Sequence, residues 1–154
     1  PCRYGQYWIW DEVEFLIWHP NEDTLFENQY SMKPNEMSCV LEVRNKNSSL
    51  WLTGDVEKQG EAEMTDRLDS QTLSALDERE LIFMAPHHGS KTSSSIDLLA
   101  KLRPDIAFAQ NGYRNRYGHP HPTVTARMKV CRSLFSKRQR RAHKSGLLQR
   151  VPGL

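Results

Sequence analysis

The sequence predicts an α/β fold in which a mixed β-sheet is covered by helices. Two observations carry this prediction: the first third of the chain reads as two β-hairpins, and the part that follows alternates helix and strand patterns. A length of 154 residues supports about one domain. The hydrophobic fraction of 38% and the charged fraction of 26% are ordinary for a globular protein, which excludes a largely disordered chain, a collagen and a coiled coil.

The two hairpins are predicted from segments rich in aromatic and β-branched side chains that are separated by short polar turns. Their strands are expected at residues 6–10, 13–18, 39–44 and 49–53. Between the hairpins, residues 19–37 are polar and lack periodicity, which predicts a long surface loop.

The second part of the chain alternates in type. We expect an interrupted helix at 56–76, a strand buried on both faces at 81–85, a helix at 96–102, a buried strand at 106–109 and a helix from Pro122 to about Leu134. The predicted domain therefore covers residues 1–135. The remaining basic segment, 136–154, is expected to be disordered or to hold a last short strand at 145–148.

Cysteine and charge counts limit the classes of protein further. Cys2, Cys39 and Cys131 are widely spaced and odd in number, which favours scattered thiols over a disulfide framework or a zinc ribbon. Residues 106–154 hold 11 Lys and Arg and no acidic residue, whereas residues 1–105 hold all 19 Asp and Glu. The basic part is either a surface that faces a polyanion or a solvated helix end.

Membrane and targeting segments are not apparent in the sequence. A membrane-spanning helix takes about 20 apolar residues, and the longest apolar runs here are only a few residues long. The chain begins with Pro1 and carries no signal peptide, so we expect a fragment of a longer protein.

Ionisable side chains follow three of the predicted strands. Asp55 comes after the fourth strand, the sequence Pro-His-His-Gly-Ser at 86–90 after the fifth, and His119 and His121 after the sixth. Taken alone, each of these is as well explained by a helix cap, a turn or a polar sheet edge. Together, one carboxylate and up to four imidazoles at one sheet edge favour a Zn²⁺ or Mn²⁺ site that activates water for hydrolysis.

Four motifs, in order and with fitting gaps, resemble one known family. They are Asn-Glu-Met-Ser-Cys-Val-Leu at 35–41, Leu-Thr-Gly-Asp-Val-Glu at 52–57, Pro-His-His-Gly-Ser at 86–90 followed by Thr-Ser-Ser-Ser at 92–95, and Asn-Arg-Tyr-Gly-His-Pro at 115–120. Together they resemble the metallo-β-lactamase-fold domain at the carboxyl end of ComEC-type competence proteins, which are polytopic inner-membrane proteins of bacterial DNA uptake. The resemblance runs from about Trp8 to Val124 and fades after Arg127.

The resemblance implies roles for the matching residues. Asp55 corresponds to the metal-bridging aspartate, and one histidine of the pair His87 and His88 to the last histidine ligand, with His88 favoured because it adjoins Gly89. His119 corresponds to a cleft residue suited to donate to a phosphate oxygen or leaving group, so Asp55 and His119 are the expected catalytic residues. Ser38 and Asn111 are expected to form hydrogen bonds in the same cleft. The charge of the basic part, rather than the resemblance, favours Arg114 and Arg116 as contacts of backbone phosphates. Ser90 and His121 complete the expected substrate-binding residues.

One departure from the family matters more than these matches. The first ligand motif of the fold, His-x-His-x-Asp-His, is absent. The chain is therefore expected to form the carboxyl-terminal half of an αββα sandwich, with at best two or three ligands and little or no turnover alone. Whether the intact parent is an enzyme stays open at this point.

For the parent protein, the resemblance implies a nuclease-like phosphodiesterase that acts on incoming DNA through phosphate contacts independent of sequence. Its expected partners are DNA, the rest of a polytopic membrane protein and other competence proteins. The parent is expected in the bacterial inner membrane, with this domain soluble on the periplasmic side. The alternatives are a non-catalytic DNA-binding or docking module and a small-molecule esterase of the same fold.

Overall fold

The computed structural model describes residues 2–22 and 34–135, with side chains described up to Cys131. Its strands are β1 (Tyr7–Trp10), β2 (Val13–His19), β3 (Val40–Arg44), β4 (Ser48–Leu52), β5 (Glu80–Met84) and β6 (Ile106–Phe108). Its helices after residue 33 are α1 (Lys58–Arg67), α2 (Ser70–Asp77), α3 (Ile96–Leu102) and α4 (Pro122–Phe135). The α/β class and the mixed sheet are confirmed, and the αββα sandwich stays a prediction.

The six strands form one sheet in which the spatial order follows the chain order. Strands β1 to β4 pair antiparallel as a meander, whereas β4, β5 and β6 pair in parallel. Parallel neighbours need a crossover, which α1 and α2 supply between β4 and β5, and α3 between β5 and β6. The carboxyl ends of β4, β5 and β6 therefore meet at one sheet edge, where ligands of α/β proteins gather.

The described helices cover one face of this sheet. Trp51 and Phe83 on that face are fully buried, and they belong to a core with apolar side chains of α1 and α3. The prediction that β5 is buried on both faces is wrong, because Ile82 and Met84 on its other face are only half-buried. The prediction that β6 is buried is also wrong: all three of its residues are exposed, since it is an edge strand in the described part of the sheet.

The prediction of scattered thiols is wrong for two of the three cysteines. Cys2 and Cys39 form a disulfide across 37 positions of sequence, with 5.8 Å between their Cα atoms. The chain before β1 runs beside the end of β2, where Gly5 N donates to Ile17 O at 3.0 Å, and the start of β3 pairs with the same end of β2. Strand pairing, rather than local spacing, therefore brings the two sulfurs together. Cys131 is a free, buried thiol.

Within the predicted loop at 19–37, residues Pro34–Met37 form a 3₁₀ turn. The predicted last strand at 145–148 and the basic segment 136–154 lie outside the described residues. Of the helices in residues 2–22 and 34–135, none combines the length and hydropathy of a membrane-spanning segment.

Candidate functional site

The candidate site lies at the carboxyl edge of the parallel strands. Three connections converge there: the one after β4 carries Asp55, the one after β5 carries His87 and His88, and the one after β6 leads to His119. A backbone hydrogen bond from His87 N to Gly54 O, 2.9 Å long, joins the first two connections. The meeting of these connections at one sheet edge agrees with the strand order that the sequence predicted.

Gly54 allows the chain to turn sharply into Asp55. Its φ is +53°, and a Cβ there would lie 3.1 Å from Cys39 O and 3.2 Å from Ser38 Cβ. Neither the conformation nor the space suits a side chain. Asp55 N then donates to Ser38 Oγ at 3.2 Å, so Ser38 holds the backbone of Asp55 in place.

The histidine pair occupies an unfavourable backbone conformation. His87 and His88 have φ values of 48° and 56° within the 3₁₀ turn Pro86–Gly89, and left-handed backbone costs roughly 1–2 kcal/mol for each non-glycine residue. The Ser93 hydroxyl stabilises the turn by donating to Pro86 O at 2.7 Å and Ser90 O at 2.9 Å. Strain of this kind clusters at functional sites, where the surrounding structure imposes it.

His88 is oriented in the way that histidine ligands of metals usually are. Its Nδ1 lies 2.8 Å from the backbone oxygen of Gln110, which fixes the proton on Nδ1 and leaves Nε2 as an acceptor. Nε2 lies 3.7 Å from Asp55 Oδ1, and both side chains are about half exposed. A nitrogen and an oxygen bound to one tetrahedral ion are about 3.4 Å apart, so this pair fits two ligands of a shared ion.

His87 is held by two residues that the sequence analysis did not place in the site. Its Nδ1 lies 3.0 Å from Glu57 Oε1, at ion-pair distance but without good hydrogen-bond geometry. Asn35 Nδ2 donates to the same Glu57 oxygen at 3.3 Å and lies 3.5 Å from His87 Nε2. Both Asn35 and Glu57 are part of the motifs that carry the family resemblance, and that was the available signal.

His119 completes the row of imidazoles. Its ring centroid is 6.3 Å from that of His87. Burial lowers the pKa of His119, and the neighbouring rings of His87, His88 and His121 lower it further. Its ring nitrogen Nδ1 is buried and forms no hydrogen bond within the part of the chain that the structure describes.

The other predicted substrate-binding residues lie at different depths. Ser90 is buried beneath the histidine turn, with its hydroxyl 3.1 Å from that of Thr92. Asn111 has a buried Oδ1 that forms no hydrogen bond among the described residues. His121 accepts from Thr123 N at 3.2 Å. Arg114 and Arg116 are exposed on the connection that follows β6. The structure thus places His88 next to Asp55, with the ring centroid of His87 6.5 Å from that of His88 and 6.3 Å from that of His119.

The serine loop, residues 90–95, supports the histidine turn from below. Its backbone is bound by Glu61 of α1, whose buried carboxylate accepts from Ser94 N at 2.5 Å and Ser95 N at 2.7 Å. Burial raises the pKa of Glu61 despite these hydrogen bonds. Arg127 Nη1 donates to Ser93 O at 3.0 Å and so joins the loop to α4. Sequence reasoning missed Glu61, because a glutamate in a charged helix usually faces solvent.

The metal expected at this edge can be assessed from the side chains present. Within residues 2–22 and 34–135, three or more His, Cys, Asp or Glu side chains do not gather into a group that could hold a metal ion. Asp55 and His88 fit two ligands of one ion. The residues present therefore fit part of a metal site.

Comparison with known proteins shows which proteins this chain is related to. The chain is 34% identical to Recombination protein 2 of Haemophilus influenzae over 82% of its length, and 33% identical to Competence protein ComA of Neisseria gonorrhoeae over 81%. It is 36% identical to ComE operon protein 3 of Bacillus subtilis over 58%. The chain therefore belongs to a family of competence proteins. The competence part of the predicted resemblance is confirmed.

The matched proteins are much longer than this chain. The chain spans 14% of the Haemophilus protein, 16% of the Neisseria protein and 11% of the Bacillus protein. No family model and no solved structure matches the chain. The metallo-β-lactamase fold therefore stays a prediction drawn from the motifs.

Proposed function

We propose that this chain is part of a metal-dependent phosphodiesterase that acts on DNA during uptake. The observation that carries the proposal is the 3.7 Å approach of His88 Nε2 to Asp55 Oδ1 at the carboxyl ends of neighbouring parallel strands. Imidazole and carboxylate are the donors that Zn²⁺ and Mn²⁺ accept in hydrolases. The names of the relatives concern competence and recombination, and they favour DNA as the substrate class.

In this proposal, residues of this chain orient two metal ligands, Asp55 and His88, and His119 serves as a hydrogen-bond donor to the substrate. Gln110 O directs Nε2 of His88 towards Asp55, and Ser38 holds the Asp55 backbone. A bound divalent ion would lower the pKa of water and stabilise negative charge on the phosphate. The lowered pKa of His119 favours its neutral form, whose one ring N–H can donate a hydrogen bond to a phosphate oxygen or to the leaving-group oxygen.

The proposed metal site needs more ligands than these to catalyse hydrolysis. In the resembling family they come from a His-x-His-x-Asp-His motif that precedes the part matched here. We therefore propose weak metal binding and little turnover for this chain alone, and activity when the preceding sequence is present. His87, held by Glu57 and Asn35, is the second histidine available to a larger site.

We also propose that this part of the parent protein faces an oxidising compartment, namely the periplasmic side of the inner membrane. The Cys2–Cys39 disulfide supports this location, because disulfides persist in the periplasm and are rare in the cytosol. Other competence proteins are the proposed partners.

A second candidate function is a DNA-binding or docking module without catalysis. It is favoured by the fact that three metal-binding side chains do not converge anywhere in the described ranges, 2–22 and 34–135. Loss of the upstream histidine motif from the natural protein would favour the module, and its presence would favour the enzyme.

The decisive experiment measures cleavage of an end-labelled oligonucleotide by the natural full-length protein in Mn²⁺. We expect Asp55→Ala to reduce the rate at least about a hundredfold, since loss of even an outer-shell partner costs 10–100-fold. Asp66→Ala, which removes an exposed carboxylate of α1, is the matched control and should leave the rate unchanged.

A direct measurement of the ion separates the two candidates. Titration of the 154-residue chain with Mn²⁺ should give a weak affinity that falls further in Asp55→Ala and in His88→Ala. Cleavage that persists in Asp55→Ala would overturn the site assignment. A full-length protein that binds DNA but neither Mn²⁺ nor Zn²⁺ would support the module instead.

A further inference from the structure

The connection after β6 presents two tyrosines to solvent. This tyrosine loop, residues 112–119, leaves Tyr113 90% exposed and Tyr117 67% exposed. Each tyrosine has an arginine neighbour over its ring: Arg114 Cζ is 5.2 Å from the Tyr113 centroid, and Arg116 Cζ is 5.0 Å from the Tyr117 centroid. Single exposed aromatics are normal, but two such aromatic–guanidinium pairs in succession are not explained by packing.

The charge of the tyrosine loop favours a polyanion. Among the described residues, neither Arg114 nor Arg116 forms an ion pair with a carboxylate, and the loop carries no acidic residue. Arg116 Nη2 donates to Tyr117 Oη at 2.9 Å, which leaves its other N–H groups available. Two guanidinium groups can therefore bind phosphate oxygens without giving up an existing salt bridge.

The tyrosine loop is continuous with the candidate site. The rings of Tyr117 and His119 are stacked, with centroids 5.9 Å apart and an angle of 18° between their planes. His119 in turn lies 6.3 Å from His87. The rings of Tyr117, His119 and His87 thus form a row that leads from the exposed Tyr117 towards the edge that carries Asp55.

We propose that the tyrosine loop is a binding platform for single-stranded DNA, in which an unpaired base stacks on Tyr113 while Arg114 and Arg116 bind the adjoining phosphates. Tyr117 and His119 then guide the strand to the edge of the sheet. This inference rests on the proposed DNA function and specifies its substrate as unpaired strand. In a duplex, the base faces are occupied by neighbouring base pairs, so an exposed tyrosine gains nothing from them, whereas aromatic stacking is the usual basis of single-strand binding.

The test is an equilibrium binding measurement that does not depend on catalysis. Fluorescence anisotropy of a labelled 20-nucleotide thymidine oligomer, and of a labelled duplex of equal length, is measured with the 154-residue chain in EDTA. We expect Tyr113→Leu to weaken binding of the single strand about tenfold and binding of the duplex less than twofold. Trp10→Leu, which removes a 74% exposed aromatic side chain of β1, is the matched control and should change neither affinity.

The arginines provide an independent readout. Arg114→Gln combined with Arg116→Gln should weaken both ligands and reduce the slope of log affinity against log salt for the single strand by about 1.4. Equal losses on both ligands in Tyr113→Leu, or no loss, would overturn the platform, as would a wild-type chain that binds neither. Tyr113-dependent binding without Mn²⁺-dependent cleavage in the full-length protein would overturn the proposed hydrolase while leaving the platform intact.

Discussion

The serine loop and the tyrosine loop flank the same site but are held in opposite ways. In the serine loop, Ser90, Ser93 and Ser94 are buried, and the backbone N–H groups of Ser94 and Ser95 are bound by the carboxylate of Glu61, 33 and 34 positions away in sequence. The tyrosine loop is exposed and is closed by one of its own residues, because Asn115 bonds both the N–H and the C=O of His119. The conformation of the serine loop is thus held by a buried residue of α1, whereas these hydrogen bonds of the tyrosine loop form within the loop itself.

This difference separates stability from ligand binding. A substitution under the serine loop should unfold or distort the whole carboxyl edge, since unmet hydrogen bonds in the core cost the full desolvation of the group. A substitution in the tyrosine loop should leave the free energy of unfolding nearly unchanged and alter affinity. The three variants below test this separation, from the largest expected loss of stability to the smallest.

Glu61→Leu should be the most damaging. It leaves the buried N–H groups of Ser94 and Ser95 without their acceptor, and each unsatisfied group costs about 1–3 kcal/mol, so we expect a loss of about 3 kcal/mol. Glu61→Gln retains one acceptor oxygen and should lose less. Urea denaturation followed by tryptophan fluorescence measures both. Asp66→Leu, at an exposed position of the same helix, is the control; if it costs as much as Glu61→Leu, the serine loop does not depend on the core.

Gly89→Ala should follow, because Gly89 joins the two loops. Its φ is +78°, and an added Cβ would lie 2.7 Å from Pro120 Cβ, on the carboxyl side of the tyrosine loop. Overpacking together with left-handed backbone predicts a loss of about 2 kcal/mol in the free energy of unfolding. Gly112→Ala meets no atom within 4 Å and should change stability by less than about 0.5 kcal/mol. Similar urea midpoints for the two variants would show that the close contact with Pro120 is not required.

The comparison also shows what the sequence could and could not predict. Residue composition and turn signals predicted each strand within about two residues, because aromatic, β-branched and apolar runs bounded by turn residues are typical of strands. The gathering of Asp55 with the histidines followed from strand order. Cys2–Cys39 and the contacts of Glu61 did not follow, because each joins residues more than 30 positions apart through tertiary packing. The sequence around a glutamate or a cysteine does not indicate which distant residue it will contact in the folded chain.

The exposure of β6 was missed for a related reason. Its three residues, Ile106–Phe108, read as a buried strand because apolar composition reports what a segment prefers and not whether another element covers it. In the tyrosine loop, by contrast, charge alone predicted the arginines as phosphate contacts. The position of each guanidinium over a tyrosine ring could not be predicted from the sequence and is seen only in the structure.

Asn115→Ala should have the smallest effect on stability and still change binding. It removes two hydrogen bonds, from His119 N at 2.9 Å and to His119 O at 2.8 Å, but both lie in a loop where water can replace them. We therefore expect the free energy of unfolding to fall by about 1 kcal/mol or less. Because these bonds set the position of His119 against Tyr117, affinity for the single-stranded oligomer should fall severalfold. Asn47→Ala, in the exposed turn between β3 and β4, is the matched control, and a loss of stability in Asn115→Ala as large as that of Glu61→Leu would mean that the tyrosine loop, too, is held by the core.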